Sequence, residues 1–291
     1  MAAYLSWGAF PLFFMLLEAV NPYEIVPWRV ITGFAFCLIA TAVIRRWQPL
    51  LAILRSPRQV GWFALSTVLL YANWQFFIVG VVSGRIIETA LGYFINPLVT
   101  ILIGVFVRKE QLRPLQWMAV GIAAVGVLIS AIAYGTMPWI ALGVAFSFGL
   151  YGAVRKQVSE DIEALPGFTV ETLVAMPIAL GQLAIVAAVT GGLGAWNHGP
   201  VATTALILSG MVTAIPLLFF AAGTRRLPLS HMGFLQFGTP ILGFLTGWLI
   251  FGEEMPFVRW IGFVAVWLAL AVLIWDMIRI CAPGIPSQLR R

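Results

Sequence analysis

The sequence predicts an all-α integral membrane protein with ten transmembrane helices, arranged as two inverted five-helix repeats. Three observations carry this prediction. First, 61% of the 291 residues are hydrophobic and only 10% are charged, with a mean hydropathy of +0.98; that leaves too little polar surface to wrap a core in water. Second, apolar runs of about 20 residues, the length that crosses a bilayer, recur along the whole chain. Third, the two halves match each other in one register.

The apolar runs fall at 2–17, 25–44, 60–81, 86–107, 114–133, 138–155, 168–190, 201–223, 229–251 and 257–279. Helix-ending punctuation separates them: Asn21-Pro22, Gln48-Pro49, Ser56-Pro57, Arg113-Pro114, Met137-Pro138, Pro166-Gly167, Gly199-Pro200 and Leu227-Pro228. No connector is long enough for a soluble domain. The first run already contains Tyr4, Trp7 and Phe10, and it lacks a basic leader and a small-residue cleavage site. It therefore reads as a shortened first helix rather than a cleavable signal.

Charge sets the orientation. With the N-terminus in the cytoplasm, 14 of the 17 Lys and Arg residues fall inside. The inside connectors hold Arg45, Arg46, Arg55 and Arg58; Arg108, Lys109 and Arg113; Arg155 and Lys156; and Arg225 and Arg226; the C-terminal tail holds Arg279, Arg290 and Arg291. Arg29, Arg85 and Arg259 remain. The positive-inside rule then places both termini in the cytoplasm. The same distribution argues against nucleic acid as a partner despite a pI near 9.8, because the basic residues do not line one face. Cys37 and Cys281 offer neither a disulfide framework nor metal-ligand spacing.

At an offset of 143, Phe76-Phe77 match Phe219-Phe220, Gly80 matches Gly223, Pro97 matches Pro240, Gly104 matches Gly247, Glu110 matches Glu253 and Trp117 matches Trp260. Gly8-Ala9 match Gly152-Ala153 at 144. This defines repeats at 1–133 and 138–279, followed by a cytoplasmic tail at 280–291. An odd number of helices per repeat inverts the second copy. Inverted repeats surrounding a central site are an architecture of secondary transporters working by alternating access. A passive channel or a structural membrane protein is the alternative reading. A membrane-embedded enzyme fits least, since the chain has no HExxH or GxSxG pattern, and no Walker A sequence couples it to ATP.

Several stretches carry a family resemblance. They are Asn73-Trp74 with Phe76-Phe77, the run from Glu88 to Leu98 (ETALGYFINPL), Arg113 to Trp117, Ser147 to Gly152, Leu165-Pro166-Gly167 leading to Glu171-Thr172-Leu173, and Ser6-Trp7-Gly8 with Pro11. Together they resemble the RarD group of the EamA-type transporters, in the drug/metabolite transporter superfamily. The resemblance spans essentially the whole chain. It implies ten helices, a bacterial inner-membrane location and export or exchange of small metabolites or drugs. Members are often labelled chloramphenicol-sensitivity or chloramphenicol-resistance permeases, which makes chloramphenicol-like compounds candidate substrates.

Polar groups at membrane depth are costly, so each is a candidate for function. Glu88, Gly92, Asn96 and Thr100 form one stripe on helix four, with Thr89 and Tyr93 beside it. The repeat carries Glu88 to His231, Tyr93 to Gln236 and Asn96 to Thr239. These two stripes are expected to line a substrate path. Glu88 is the candidate coupling site for a proton, or it pairs with Arg85 near the surface. Arg29 pairs with Glu24 or Glu171, or it grips an anionic substrate. Asn73, Trp74, Trp7 and Tyr151 are expected to face the cavity, the rings offering stacking surfaces. Trp28, Trp47, Trp62, Trp117, Trp139, Trp196 and Trp260 read as interfacial belt residues. The expected partners are a small organic substrate, the lipid bilayer and a proton or counter-substrate. The protein is expected to act as a monomer or homodimer, with no cofactor and no metal.

Overall fold

The computed structural model describes residues 2–107, 109–133, 137–159, 162–236, 238–252 and 257–281. Arg108, Glu253, Arg290 and Arg291, together with most of the expected tail, lie outside the described residues, as do the side chains of Arg259, Arg279 and Cys281.

The described residues form an all-α membrane fold. In chain order the helices are α1 (Ala2–Gly8), α2 (Phe10–Phe14), a 3₁₀ turn (Met15–Leu17), α3 (Pro22–Ile44), α4 (Trp47–Leu54), α5 (Pro57–Val82), α6 (Ile86–Phe106), α7 (Pro114–Ala133), α8 (Trp139–Ser159), α9 (Ala164–Thr190), α10 (Gly199–Thr224), α11 (Leu229–Gln236), α12 (Gly238–Leu245), a π-helical turn (Thr246–Ile250) and α13 (Phe257–Cys281). Helices α3, α5, α6, α7, α9 and α10 are long and apolar enough to cross a bilayer.

Proline opens these helices rather than closing the preceding ones. Pro22, Pro57 and Pro200 sit in first turns, where a missing N–H costs nothing. The Asn21 and Ser56 side chains cap them by accepting from Tyr23 N–H at 3.0 Å and Gln59 N–H at 3.4 Å. The expected break at Pro166-Gly167 is likewise corrected, because both residues lie inside the first turn of α9.

The first expected helix is interrupted. Pro11 cannot donate to the Trp7 carbonyl, and the chain tightens into i→i−3 bonds at Ala9 (to Ser6, 3.1 Å) and Leu12 (to Ala9, 3.2 Å). The 45–59 connector is not plain loop, since α4 lies within it. At eight residues α4 is too short to span. It buries Leu50 and Ile53 while Trp47, Leu51 and Leu54 stay exposed.

Between helices in lipid there is little hydrophobic driving force, so association rests on close packing and hydrogen bonds. Helix α6 packs between α8 and α11, and α3 between α9 and α10. α5 packs on α8 and α9, α1 on α10 and α12, and α7 on α13. Two contacts need glycine. A side chain at Gly92 would collide with the Ala141 backbone, and one at Gly210 would strike the backbone of Thr32 and Gly33. Gly143 and Gly149 are similarly tight, whereas a side chain at Gly243 would meet nothing within 4 Å. Exposed aliphatic residues such as Ile39, Val43, Ile132, Ile185 and Val189 form the outer surface.

The charge expectation needs one correction. Arg155 is not in a connector; helix α8 runs on to Ser159 and buries it to 1% exposure. Its neighbour Lys156 donates to the Thr224 and Leu227 carbonyls at the end of α10, at 3.4 and 2.6 Å. Three of the expected belt residues also pack on neighbouring rings. Trp28 packs edge-on against Trp196 with ring centroids 4.8 Å apart, and Trp260 joins a cluster with Phe244, Trp248 and Trp267.

Candidate functional site

At the centre of the bundle α1, α2, α3, α5, α6, α8 and α10 converge on a small closed cavity. It is lined by Trp7, Phe10, Arg29, Asn73, Trp74, Phe77, Tyr93, Phe148 and Leu217. A second small cavity adjoins it, sharing Trp7, Phe77 and Tyr93 and reaching Thr89 and Thr239. A larger cavity, about 550 Å³, is elsewhere. It is a groove on the outer face of α9, around Gln182, where the exposed Ile178, Ile185 and Val189 turn it towards lipid.

Arg29 is the cationic centre of the inner cavity. It lies two turns inside α3 and is 3% exposed. Its Nε donates to Thr213 Oγ1 at 2.5 Å, while Nη1 has no hydrogen-bond partner. The guanidinium carbon stands 4.7 Å from the Trp74 ring centroid, 4.9 Å from Phe14 and 5.8 Å from Phe10.

The expected ion pair between Arg29 and Glu24 or Glu171 is not formed. Glu24 instead accepts from Gly194 N–H (3.1 Å) and Ala195 N–H (3.0 Å) in the α9–α10 connector. Glu171 faces Arg155 at 3.6 Å, accepts from Ser66 Oγ at 2.7 Å and from Tyr151 Oη at 3.5 Å. Tyr151 is thus engaged by this buried pair; it does not line the cavity, and it touches the cavity's aromatic wall through a ring contact with Phe148 and packs on Phe220 as well.

Asn73 lines the cavity, but its amide also ties α5 to α8 by donating to Val144 O (3.0 Å) and Ser147 Oγ (3.2 Å). The stripes of α6 and α11 do meet: Thr100 Oγ1 lies 3.2 Å from Asn96 Oδ1 and 3.4 Å from Gln236 Oε1. Neither Asn96 nor Gln236 lines the two inner cavities. Thr239 does, and its hydroxyl donates to the Tyr4 carbonyl at 3.0 Å. His231 stands near the start of α11, within electrostatic reach of Glu110 and Arg113, outside both cavities.

Glu88 is fully buried, pairs with Arg85, and accepts from Ile140 N–H at 3.0 Å. It therefore holds the N-terminus of α8, where the helix dipole favours a carboxylate. Sequence reasoning missed Phe10, Phe14, Phe77, Phe148 and Thr213. In a chain this apolar, four phenylalanines and a threonine carry no local signal of facing inwards.

Known proteins agree with this architecture. The EamA-like transporter family is matched over residues 1–132 and again over 136–275. The chain is 42% identical to Protein RarD of Streptomyces exfoliatus, covering 95% of this chain and 87% of that one. It is 39% identical to the uncharacterized transporter YojE of Bacillus subtilis strain 168, covering 95% and 92%. A solved crystal structure superposes with a TM-score of 0.69 at 18% identity, over 94% of this chain and 95% of the other, a likeness of fold alone. The chain belongs to the EamA-like transporter family, a family of helical membrane transporters, and within it to the RarD group.

Proposed function

We propose that this membrane transporter moves a small organic compound by alternating access between two inverted repeats at 1–133 and 138–279. The observation that carries the reading is the closed cavity around Arg29, walled by helices from both halves of the chain. Two further facts support it. Exchanging α1 with α8, α3 with α9, α5 with α10, α6 with α11–α12 and α7 with α13 turns the α6–α8 contact into α1–α12. The same exchange turns α5–α8 into α1–α10 and α3–α10 into α5–α9. The family matches also divide between 132 and 136, at the proposed boundary.

The substrate path runs through Trp7, Arg29, Asn73, Trp74 and Tyr93, with Thr239 on the adjoining cavity. Asn96, Tyr151, His231 and Gln236 support the helices that move. Coupling is to a proton or a counter-substrate, with Glu88 the carboxylate assigned to it. Both termini face the cytoplasm of a bacterial inner membrane. Arg46–Glu163 (3.0 Å), Arg113–Asp276 (2.6 Å) and Lys156–Leu227 each join helix ends expected on one side, and the basic connectors there assign that side to the cytoplasm.

The test is reconstitution into liposomes with an imposed pH gradient, screening amphenicols and aromatic metabolites. Accumulation above equilibrium that collapses with an uncoupler means proton-linked transport. Flux that requires substrate on the opposite side, without a pH gradient, means exchange. Leak that neither saturates nor responds to either gradient would sink the transporter mechanism and leave a channel.

A further inference from the structure

We propose, resting on the transport reading above, that the inner cavity is an organic-anion site. Arg29 holds the carboxylate or sulfonate of a substrate whose flat apolar body lies against Trp74 and Phe148. The site selects against amines and zwitterions of the same shape.

The argument begins with the unmet capacity of Arg29. A guanidinium presents five N–H donors in a planar fork. Here one is taken by Thr213, and Nη1 has no partner. The rings of Phe10, Phe14 and Trp74 attract the positive charge through their faces, but they accept no strong hydrogen bonds. A charge at membrane depth costs several kcal/mol unless paired. The acids near enough to the same helices to neutralise it are committed elsewhere, Glu24 to the α9–α10 connector and Glu171 to Arg155. A bound anion supplies what is missing, a bidentate acceptor at the open edge of the fork.

The rest of the wall sets the selectivity. None of the nine lining residues is an acid. A substrate ammonium would find no counter-charge and would be repelled by Arg29. The polar groups beside Arg29, Asn73 and Tyr93, are neutral, and the remaining surface is aromatic or aliphatic. The cavity is about 20 Å³, room for about one water and far too small for an organic substrate, so a ligand enters when the helices part.

Two measurements on the purified full-length chain test this separately from transport. Thermal stabilisation in detergent reports binding of phenylpyruvate, indole-3-acetate and benzenesulfonate against phenylalanine, phenethylamine and chloramphenicol. Counterflow in liposomes reports transport of the same compounds. At least one anion should bind tenfold or more tighter than phenylalanine and phenethylamine. Arg29→Gln should weaken it about 100-fold, and Arg29→Lys, which keeps charge but loses the fork, about tenfold. If Arg29→Gln does not fold, the wild-type panel alone decides. Binding of phenylalanine or phenethylamine as tight as any anion, or no anion binding at all, overturns the anion site. Counterflow of the other compounds would then leave the transport reading standing. Anion binding without counterflow of any compound keeps the site and removes the transport reading.

Discussion

Two arginines lie buried in this bundle, and their surroundings differ in one respect. Arg29 and Arg155 are 3% and 1% exposed, and each sets its guanidinium against an aromatic ring, Trp74 at 4.7 Å and Phe63 at 5.1 Å. Both leave guanidinium N–H groups without hydrogen bonds, but Arg155 has a carboxylate beside it, Glu171 at 3.6 Å, which Ser66 and Tyr151 hold in place. Arg29 has a threonine and an open edge facing a cavity. A charge neutralised inside the fold belongs to the scaffold. A charge that the fold holds in place but does not neutralise is available to a ligand.

The comparison breaks most readily at Glu171. Glu171→Gln leaves Arg155 buried without its counter-charge and should cost about 3–5 kcal/mol, read as a shift in a denaturant titration in detergent. Adding Arg155→Met should restore most of it, since the pair acts as a unit. A loss below 1 kcal/mol for the single change would mean that the pair is not structural. Arg29→Gln is the converse. Stability should stay within about 1 kcal/mol of wild type, because no internal partner is orphaned except Thr213, whose hydroxyl still donates to Ser209 O at 2.7 Å. Transport should nevertheless be lost. Unfolding of this variant would place Arg29 in the scaffold with Arg155.

Smaller effects sharpen the picture. Trp74→Leu removes one face of the cage around Arg29 and should weaken anion binding by about tenfold, measured by the same thermal shift, in line with a cation–π contact of ~1–2 kcal/mol. Glu88→Gln is expected to abolish gradient-driven accumulation while leaving counterflow intact. Accumulation that survives, with stability lowered by about 1–2 kcal/mol, would make Glu88 an anchor for α8 and nothing more. At the surface, Arg46→Ala should change stability by no more than about 0.5 kcal/mol, because its pair with Glu163 is half exposed and screened.

Much of this was legible in the chain, and the illegible parts have reasons. Length and apolarity marked α3, α5, α6, α7, α9 and α10, because a bilayer demands both. Trp7, Arg29, Asn73, Trp74 and Tyr93 were identifiable as cavity residues because polar or amphipathic groups stand out in an apolar helix. Arg155 was misread as a loop residue because a local pattern cannot show that α8 continues past it to meet Glu171, sixteen positions on in another helix. Asn96 and Gln236 share the polarity of the cavity residues but face other helices, and His231 stands by Glu110 and Arg113 outside both cavities, differences of position that polarity does not encode.

Composition and spacing by themselves determined the solvent of this protein, the helical fold that follows from it and the short list of costly polar groups, because each is a property of one segment against lipid. Only the tertiary structure decided which charges are neutralised. Glu24 and Glu171 were both eligible partners for Arg29, and choosing between them depends on distances between helices far apart in sequence. The packing of α3 against α9 and α10 gave both acids to other groups and left Arg29 facing the cavity.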